Sequence, residues 1–365
     1  MNDMVLGARL TGGMGPQALV PLLERALQKG TCDAVLLPMR TPRNDSYAFV
    51  LVRDPLLLQR SDPLPPVQTV TGGRALSSLT RHGGGGLRIL AVMRPCETRG
   101  AIELAKLGQV DLKDVTLITM DCPGTVPLPM FARGELHPSG IDFSDQSIRP
   151  ICQICDLSCA AVGDLHLGWG EGLAPVLLPG NERGSKVLQD LGLKADHDAS
   201  EWSAAAGRRA QARREEREVR LGQLRTSTSG LDNLMVHLDS CINCHNCMRV
   251  CPVCYCRVCT FDLKRQERSA NEVLDLAKTR GHLRMPMDTL MFHLGRMNHM
   301  SLNCVSCGAC EDACPAGVPI AQVFAMVSDR TQRAFGYRAG MDRKQRPPLI
   351  TFLEEELEGE DEQRC

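Results

Sequence analysis

The chain carries almost no net charge, few aromatic residues and no long apolar run, and each shortage removes a class of function. Its 365 residues sum to a formal charge of -1, and aromatics make up 4%. A balanced charge gives no general field to draw nucleic acid, and no basic stripe interleaved with aromatics supplies a local one. Nucleic acid is therefore not an expected partner. No apolar stretch approaches the ~18 residues needed to span a bilayer. The opening residues, MNDMVLGARL, meet an acid at Asp3 and lack the apolar core of a secretory signal. The expectation is a cytoplasmic protein, held at a membrane only through another subunit.

Cysteine is what the chain has in excess. Eighteen cysteines without an export signal belong in a reducing compartment, bound to metal. Cys241, Cys244, Cys247 and Cys251 precede Pro252, and Cys304, Cys307, Cys310 and Cys314 precede Pro315. Each is a C-x2-C-x2-C-x3-C-P run, the bacterial ferredoxin spacing for a 4Fe-4S cluster. Two-residue gaps let one tight loop wrap three irons, and the fourth thiolate comes from elsewhere. In two-cluster ferredoxins the last cysteine of each run serves the other cluster. That pairs Cys241, Cys244 and Cys247 with Cys314, and Cys304, Cys307 and Cys310 with Cys251. Structural zinc commonly uses two C-x2-C knuckles closing one site, which fits two full runs poorly.

A third group is Cys152, Cys155 and Cys159, spaced C-x2-C-x3-C. Three thiolates are an incomplete set, so a fourth ligand is needed. Cys122 is the natural candidate; Cys96 and, less usually, Asp156 remain open, as does zinc in place of iron. Cys254, Cys256 and Cys259 crowd behind Pro252 and read as buried thiols near a cluster.

The first half alternates helical and strand patterns. Apolar residues from Leu19 to Leu27 recur at helical spacing, strands are expected at 32–38, 47–52, 87–93 and 115–120, and Asp54 to Pro66 reads as irregular. Two successive strands end in loops bearing Arg94, Cys96 and Glu97, and Asp121 and Cys122. Ligands in open α/β sheets gather at strand ends, so these loops form a candidate site, with ordinary turns holding inert thiols as the plain alternative. Gly83, Gly84, Gly85 and Gly86 lack both a Walker lysine and the G-x-G-x-x-G order, so a flexible turn is the plainer reading.

The stretches RPCETRGAIELAKLGQV (94–110), DCPGT (121–125), ICQICDLSCA (151–160) and GDLHLGWGEGLAPVLLPGNERG (163–184) occur together and in order. With the two cysteine runs, they resemble the deazaflavin hydrogenase/dehydrogenase β-subunit family, and most the formate dehydrogenase branch with an attached ferredoxin module. The resemblance implies FAD beside a 4Fe-4S cluster. It would place Arg94, Pro95, Cys96, Glu97 and Arg99 near the flavin, phosphate contacts on Gly83 to Gly86, and a proximal cluster on Cys122, Cys152, Cys155 and Cys159. The partners implied are a redox carrier (deazaflavin, nicotinamide or ferredoxin) and an oxidoreductase such as formate dehydrogenase, hydrogenase or a heterodisulfide reductase-like complex.

The expected fold is α+β. An N-terminal α/β flavin- and cluster-binding domain (1–195) leads through a charged linker (196–234) to a mainly α-helical two-cluster ferredoxin domain (235–330) and an acidic tail (331–365). Gly207 to Arg220 holds six arginines and three glutamates and reads as a solvated helix with pairs such as Arg214 and Glu218. Between the runs lies an insert of 52 residues with helical patterning, whose His293 and His299 read as ordinary helix residues. The function expected is electron transfer through FAD and three 4Fe-4S clusters within an oxidoreductase. A flavin-free adaptor between two enzymes and a zinc scaffold are the alternatives. No nucleophile or general base is expected.

Overall fold

Alternate residues of the central strands face opposite sides of a sheet. In β4 (Ile89–Met93), Leu90 and Val92 pack on one face while Ile89, Ala91 and Met93 pack on the other. The same period of two divides β2 (Ala34–Arg40) and β5 (Val115–Met120), each buried on both sides because helices cover both faces. In this computed structural model the described residues are 5–135, 141–170, 172–259, 261, 269–282 and 289–351. The end of the expected acidic tail, with Cys365, lies outside them.

The sheet has eight strands in the order β3-β2-β4-β5-β6-β7-β1-β8. Its remaining members are β1 (Leu6–Arg9), β3 (Tyr47–Val52), β6 (Leu165–Gly170), β7 (Leu173–Pro179) and β8 (His197–Asp198). β2, β4, β5 and β6 run parallel, and antiparallel strands close both edges. Helix α1 (Leu19–Gln28) covers one face. Helices α2 (Gly72–Thr80) and α3 (Pro95–Lys106) cover the other. Pro95 opens α3, where a missing N–H costs nothing, and the Glu97 side chain accepts from the Arg94 amide at 3.0 Å. Short helices α4 (Leu128–Ala132) and α5 (Pro150–Gln153) follow β5, and α6 (Glu182–Asp190) returns to the face of α1.

The second half is helical: α7 (Ser200–Ser227), α8 (Leu231–Leu238), α9 (Asn246–Arg249), α10 (Ala270–Arg280), α11 (Thr289–Met300), α12 (Ala309–Asp312) and α13 (Ile320–Ala334). One expectation is extended here and one is corrected. The charged segment is a 28-residue helix, mostly exposed over 207–220 as expected of a solvated helix, but it buries Arg217 there and Trp202, Ala206 and Leu221 on either side, so it also packs. Its arginines hid this, because several of them point inward. Residues 331–351, assigned to the tail, pack instead: Tyr337 and Ala339 are buried beside Val305. Glu103 anchors them, accepting from the Tyr337 hydroxyl and the Gly340 amide, both at 2.6 Å. Among the described residues no helix is long and apolar enough to cross a membrane.

Candidate metal centres

Both cysteine runs fold into the same loop. In C-I-N-C-H-N-C, Asn243 and His245 have φ of 54° and 60°, and in C-V-S-C-G-A-C, Ser306 and Gly308 have φ of 55° and 78°. Left-handed backbone at the same two positions turns each loop around a centre, and a four-residue helix, α9 or α12, follows each. For non-glycine residues this conformation costs ~1–2 kcal/mol each, which persists only where the surroundings hold it.

Each loop encloses one cavity. The first is lined by Cys241, Cys244, Cys247 and Cys314. The second is lined by Cys304, Cys307, Cys310 and Cys251. Burial pushes the Cys307 thiol up to about 12, and Cys310 rises well above its ordinary range for the same reason. Left alone such groups stay protonated, whereas a bound metal deprotonates a coordinating thiol outright. The four-sulfur lining, in a matched pair of loops, fits a cluster. Among the described residues no three His, Cys, Asp or Glu converge as the ligands of a single ion do.

Arg296, which sequence reasoning missed, stands between the two cavities. It is almost wholly buried, donates from Nη1 to Cys247 Sγ at 3.1 Å, lines the second cavity, and lies over the Phe324 ring at 4.7 Å. Burial opposes its charge; the thiolates of Cys247, Cys251 and Cys310 hold its pKa above the ordinary value. Its Nε has no protein partner. His293, expected to be an ordinary helix residue, lines the first cavity with Nε2 3.4 Å from Cys241 Sγ. Burial and the neighbouring Arg296 lower its pKa to about 4, so it faces the sulfur as a neutral ring. His299 meets the Phe261 ring. Cys254 and Cys259 are half-buried against the same core, while Cys256 is exposed.

The third group lies at the carboxyl ends of β4 and β5. Arg94, buried, donates from Nη1 to Cys122 Sγ at 2.9 Å and to the Gly124 carbonyl at 3.2 Å, and also reaches the Pro65 carbonyl. Cys152 follows on α5, its Sγ 3.7 Å from Thr125 Oγ1. Arg213 of α7 stands near Cys155 with Nη1 buried and unpartnered. Cys122, Cys152 and Cys155 act on one another electrostatically. Cys96 joins them: burial, Glu97, and then Cys307, Cys122 and Cys155 push its thiol up. Cys159 packs against the apolar cluster that includes Trp202 and Ala206, next to Ser158 and Asp121.

Asp121 anchors the loop that carries Cys122. Wholly buried, it accepts from Trp202 Nε1 at 2.6 Å and from the Trp169 amide at 3.2 Å, and meets His166 Nε2 at 2.9 Å. Sequence reasoning placed Asp121 in a candidate loop but missed its role as a hub, because its three partners lie 45 or more positions away.

The second and third groups adjoin. A Cβ on Gly308 would come within 2.6 Å of Ile151, the neighbour of Cys152, so only glycine permits this approach. Arg149, just before α5, forms a buried ion pair with Asp312 and reaches the Cys307 carbonyl at 3.5 Å.

The two groups of expected flavin contacts lie apart from each other. Gly83 to Gly86 turn into the amino end of β4, where Arg88 pairs with Asp33 ahead of β2, at the sheet edge opposite Arg94 and Cys96. Helix polarity and strand direction therefore separate the glycine run from the site. Arg94 to Arg99 are buried within the protein: Glu97 accepts from the Gly72 amide at 3.0 Å, and Arg99 donates to the Ala339 and Val305 carbonyls at 2.9 and 3.1 Å. They join the two halves of the chain, and Arg99 also lines a cavity between them.

Residues 237–318 match the family described as a 4Fe-4S dicluster domain. Over 309 residues the chain is 26% identical to the F420-dependent formate dehydrogenase subunit beta of Methanocaldococcus jannaschii, covering 73% of this chain and 76% of that protein. Over 379 aligned positions it is 27% identical to the F420-dependent formate dehydrogenase 1 subunit beta of Methanococcus maripaludis, covering 91% and 92%. The chain is thus similar to β subunits of the F420 (deazaflavin) hydrogenase/dehydrogenase type. Like these relatives, which are oxidoreductase subunits, the chain is an iron-sulfur electron-transfer subunit, with its dicluster module at residues 237–318. The F420-reducing [NiFe] hydrogenase complex from Methanosarcina barkeri also aligns, at 12% identity and a TM-score of 0.45, over 63% of this chain and 94% of that one.

Proposed function

We propose that this β subunit passes electrons between a two-electron carrier at FAD and a partner such as formate dehydrogenase, hydrogenase or a heterodisulfide reductase-like enzyme, through three 4Fe-4S clusters. The relatives' names make F420 the first carrier to try. The observation that carries the reading is the row of cysteine groups, in which Arg296 lines the second cavity and bonds Cys247 of the first, and the second adjoins the third group through Gly308 and Arg149. Cys241, Cys244, Cys247 and Cys314 hold the first cluster, and Cys304, Cys307, Cys310 and Cys251 the second. Cys122, Cys152 and Cys155 hold the third, and proximity favours Cys96 over Cys159 as its fourth ligand. The domains divide as the sequence suggests, near 195 and 235, with α7 bracing both.

When bound, the clusters supply one-electron transfer and a flavin exchanges electron pairs for single electrons. The chain's own part is to hold the sulfurs in buried cages, to place cations beside them and to exclude water. The burial of Arg94 to Arg99 favours one second reading, an adaptor without flavin. Anaerobic purification with iron, sulfide and flavin quantified, then reduction by F420, by a nicotinamide and by ferredoxin, separates the two. Bound flavin and rapid bleaching by one carrier support the first reading; full iron without flavin supports the adaptor, and zinc in place of iron ends both.

A further inference from the structure

A cavity of about 370 Å³ opens between the second and third cysteine groups, with Cys304 on one wall and Cys155 on another. That volume is at the small end of those that hold cofactors, enough for a diphosphate with part of a nucleotide. Arg99, Arg214, Arg217, Arg333 and Arg338 line it. Against these five guanidinium groups stand three carboxylates, Asp156, Glu218 and Asp329, an excess of two positive charges. The carboxylates are shared: Asp156 serves Arg338 and Arg214, and Asp329 serves Arg217 and Arg333. Arg214 sits at 3.7 Å from its carboxylate, beyond a hydrogen bond, and Arg99 donates to backbone carbonyls. Guanidinium groups present several donors each in a fixed fork, so these pairs leave donors facing the cavity. A separate observation points to a ligand. Ser328, 2% exposed, lines the same cavity, and its hydroxyl has no hydrogen-bond partner.

We propose that this cavity is a diphosphate site, taking the phosphate-bearing part of a nucleotide cofactor. Within the proposed function, on which this choice of occupant rests, that cofactor is the FAD. The site replaces the expected phosphate contacts at Gly83 to Gly86, which face the opposite edge of the sheet. It differs from the cysteine cages in its chemistry, since arginine forks and a hydroxyl recognise phosphate oxygens rather than metal.

The test uses the full chain with its clusters loaded, and the double substitution R214Q/R338Q, whose side chains are partly exposed, so that iron and sulfide content should stay at the wild-type level. Binding of inorganic pyrophosphate, of FAD and of FMN is measured by calorimetry. The proposal expects pyrophosphate and FAD to bind and to compete, with the double variant about tenfold or more weaker for both, as lost charge-assisted bonds require. FMN, with one phosphate, should bind more weakly than FAD. Pyrophosphate binding without FAD binding keeps the cavity as a diphosphate site and removes the flavin. FAD binding that pyrophosphate does not displace and the variant does not weaken overturns the cavity while the flavin stands. Wild-type protein that binds neither overturns both. If the double variant loses iron, R333Q, altering the most exposed of these arginines, is measured in its place with the same expected loss.

Discussion

Arg296 and Cys247 are joined by a hydrogen bond of 3.1 Å inside the helical half, with no carboxylate among the described residues paired with the guanidinium. A buried cation without a carboxylate is costly unless something anionic surrounds it. Thiolates of both cages do so here. Reduction adds a negative charge to a cluster, and a nearby cation stabilises that charge. R296M should therefore lower the midpoint potentials of the two ferredoxin-module clusters, by on the order of 60 mV if the lost interaction is about 1.4 kcal/mol. R296K should recover part of the shift. A redox titration followed by electron paramagnetic resonance checks this, and unchanged potentials at full iron content would show that the arginine only fills space.

The last cysteine of each run lines the cavity of the other run, which makes opposite predictions for two similar substitutions. C314S should weaken the cluster held by residues 241–247. C251S should weaken the one held by residues 304–310, although Cys251 belongs to the first run in sequence. Double variants read the assignment directly: C314S combined with losses in 241–247 should cost one cluster's iron, and C251S combined with the same losses should cost two. The reverse pattern, two clusters lost in the first combination and one in the second, would mean that each run closes on itself.

The spacing of the cysteines was enough to group the residues that line the two cavities, because loop geometry with two-residue gaps is local. The alternating apolar pattern likewise located β2, β3, β4 and β5, whose side chains are sorted by their own period. What stayed hidden was long range. Arg217 and Trp202 lie in a segment whose composition reads as solvated, and only the packing of α7 against Asp121 and Asp329 turns them inward. Arg296 sits in an insert of ordinary helical pattern, and nothing along the chain says that it faces sulfur. The glycine run has a related limit, since glycine records a backbone turn but not which end of a strand the turn occupies.

Cys96 and Cys159 can be told apart by what each touches. Cys96 opens α3 among Cys122, Cys155 and Cys307, while Cys159 lies with Trp202 and Asp121 in an apolar layer. C96S should lose the iron of one cluster and the matching paramagnetic signal. C159S should keep both and lose only packing, about 1 kcal/mol in a denaturant titration. The reverse pattern would return Cys159 to the ligand set.

Gly340 holds the last described segment against α3 and, through it, one wall of the arginine-lined cavity. Its φ is 72°, and a Cβ there would stand 2.4 Å from the Arg99 carbonyl oxygen, so alanine meets both backbone strain and a steric clash that backbone cannot relieve. The strain alone is about 1–2 kcal/mol, and the clash adds to it. G340A should thus release residues 337–340 from Glu103, leaving that carboxylate buried without the Tyr337 and Gly340 donors. Because Tyr337 and Arg338 line the cavity, pyrophosphate affinity should fall with stability, while the first cluster, lying away from this segment, keeps its signal. Limited proteolysis reads the release, and a variant cut no faster than wild type would show that the segment is held by contacts other than Glu103.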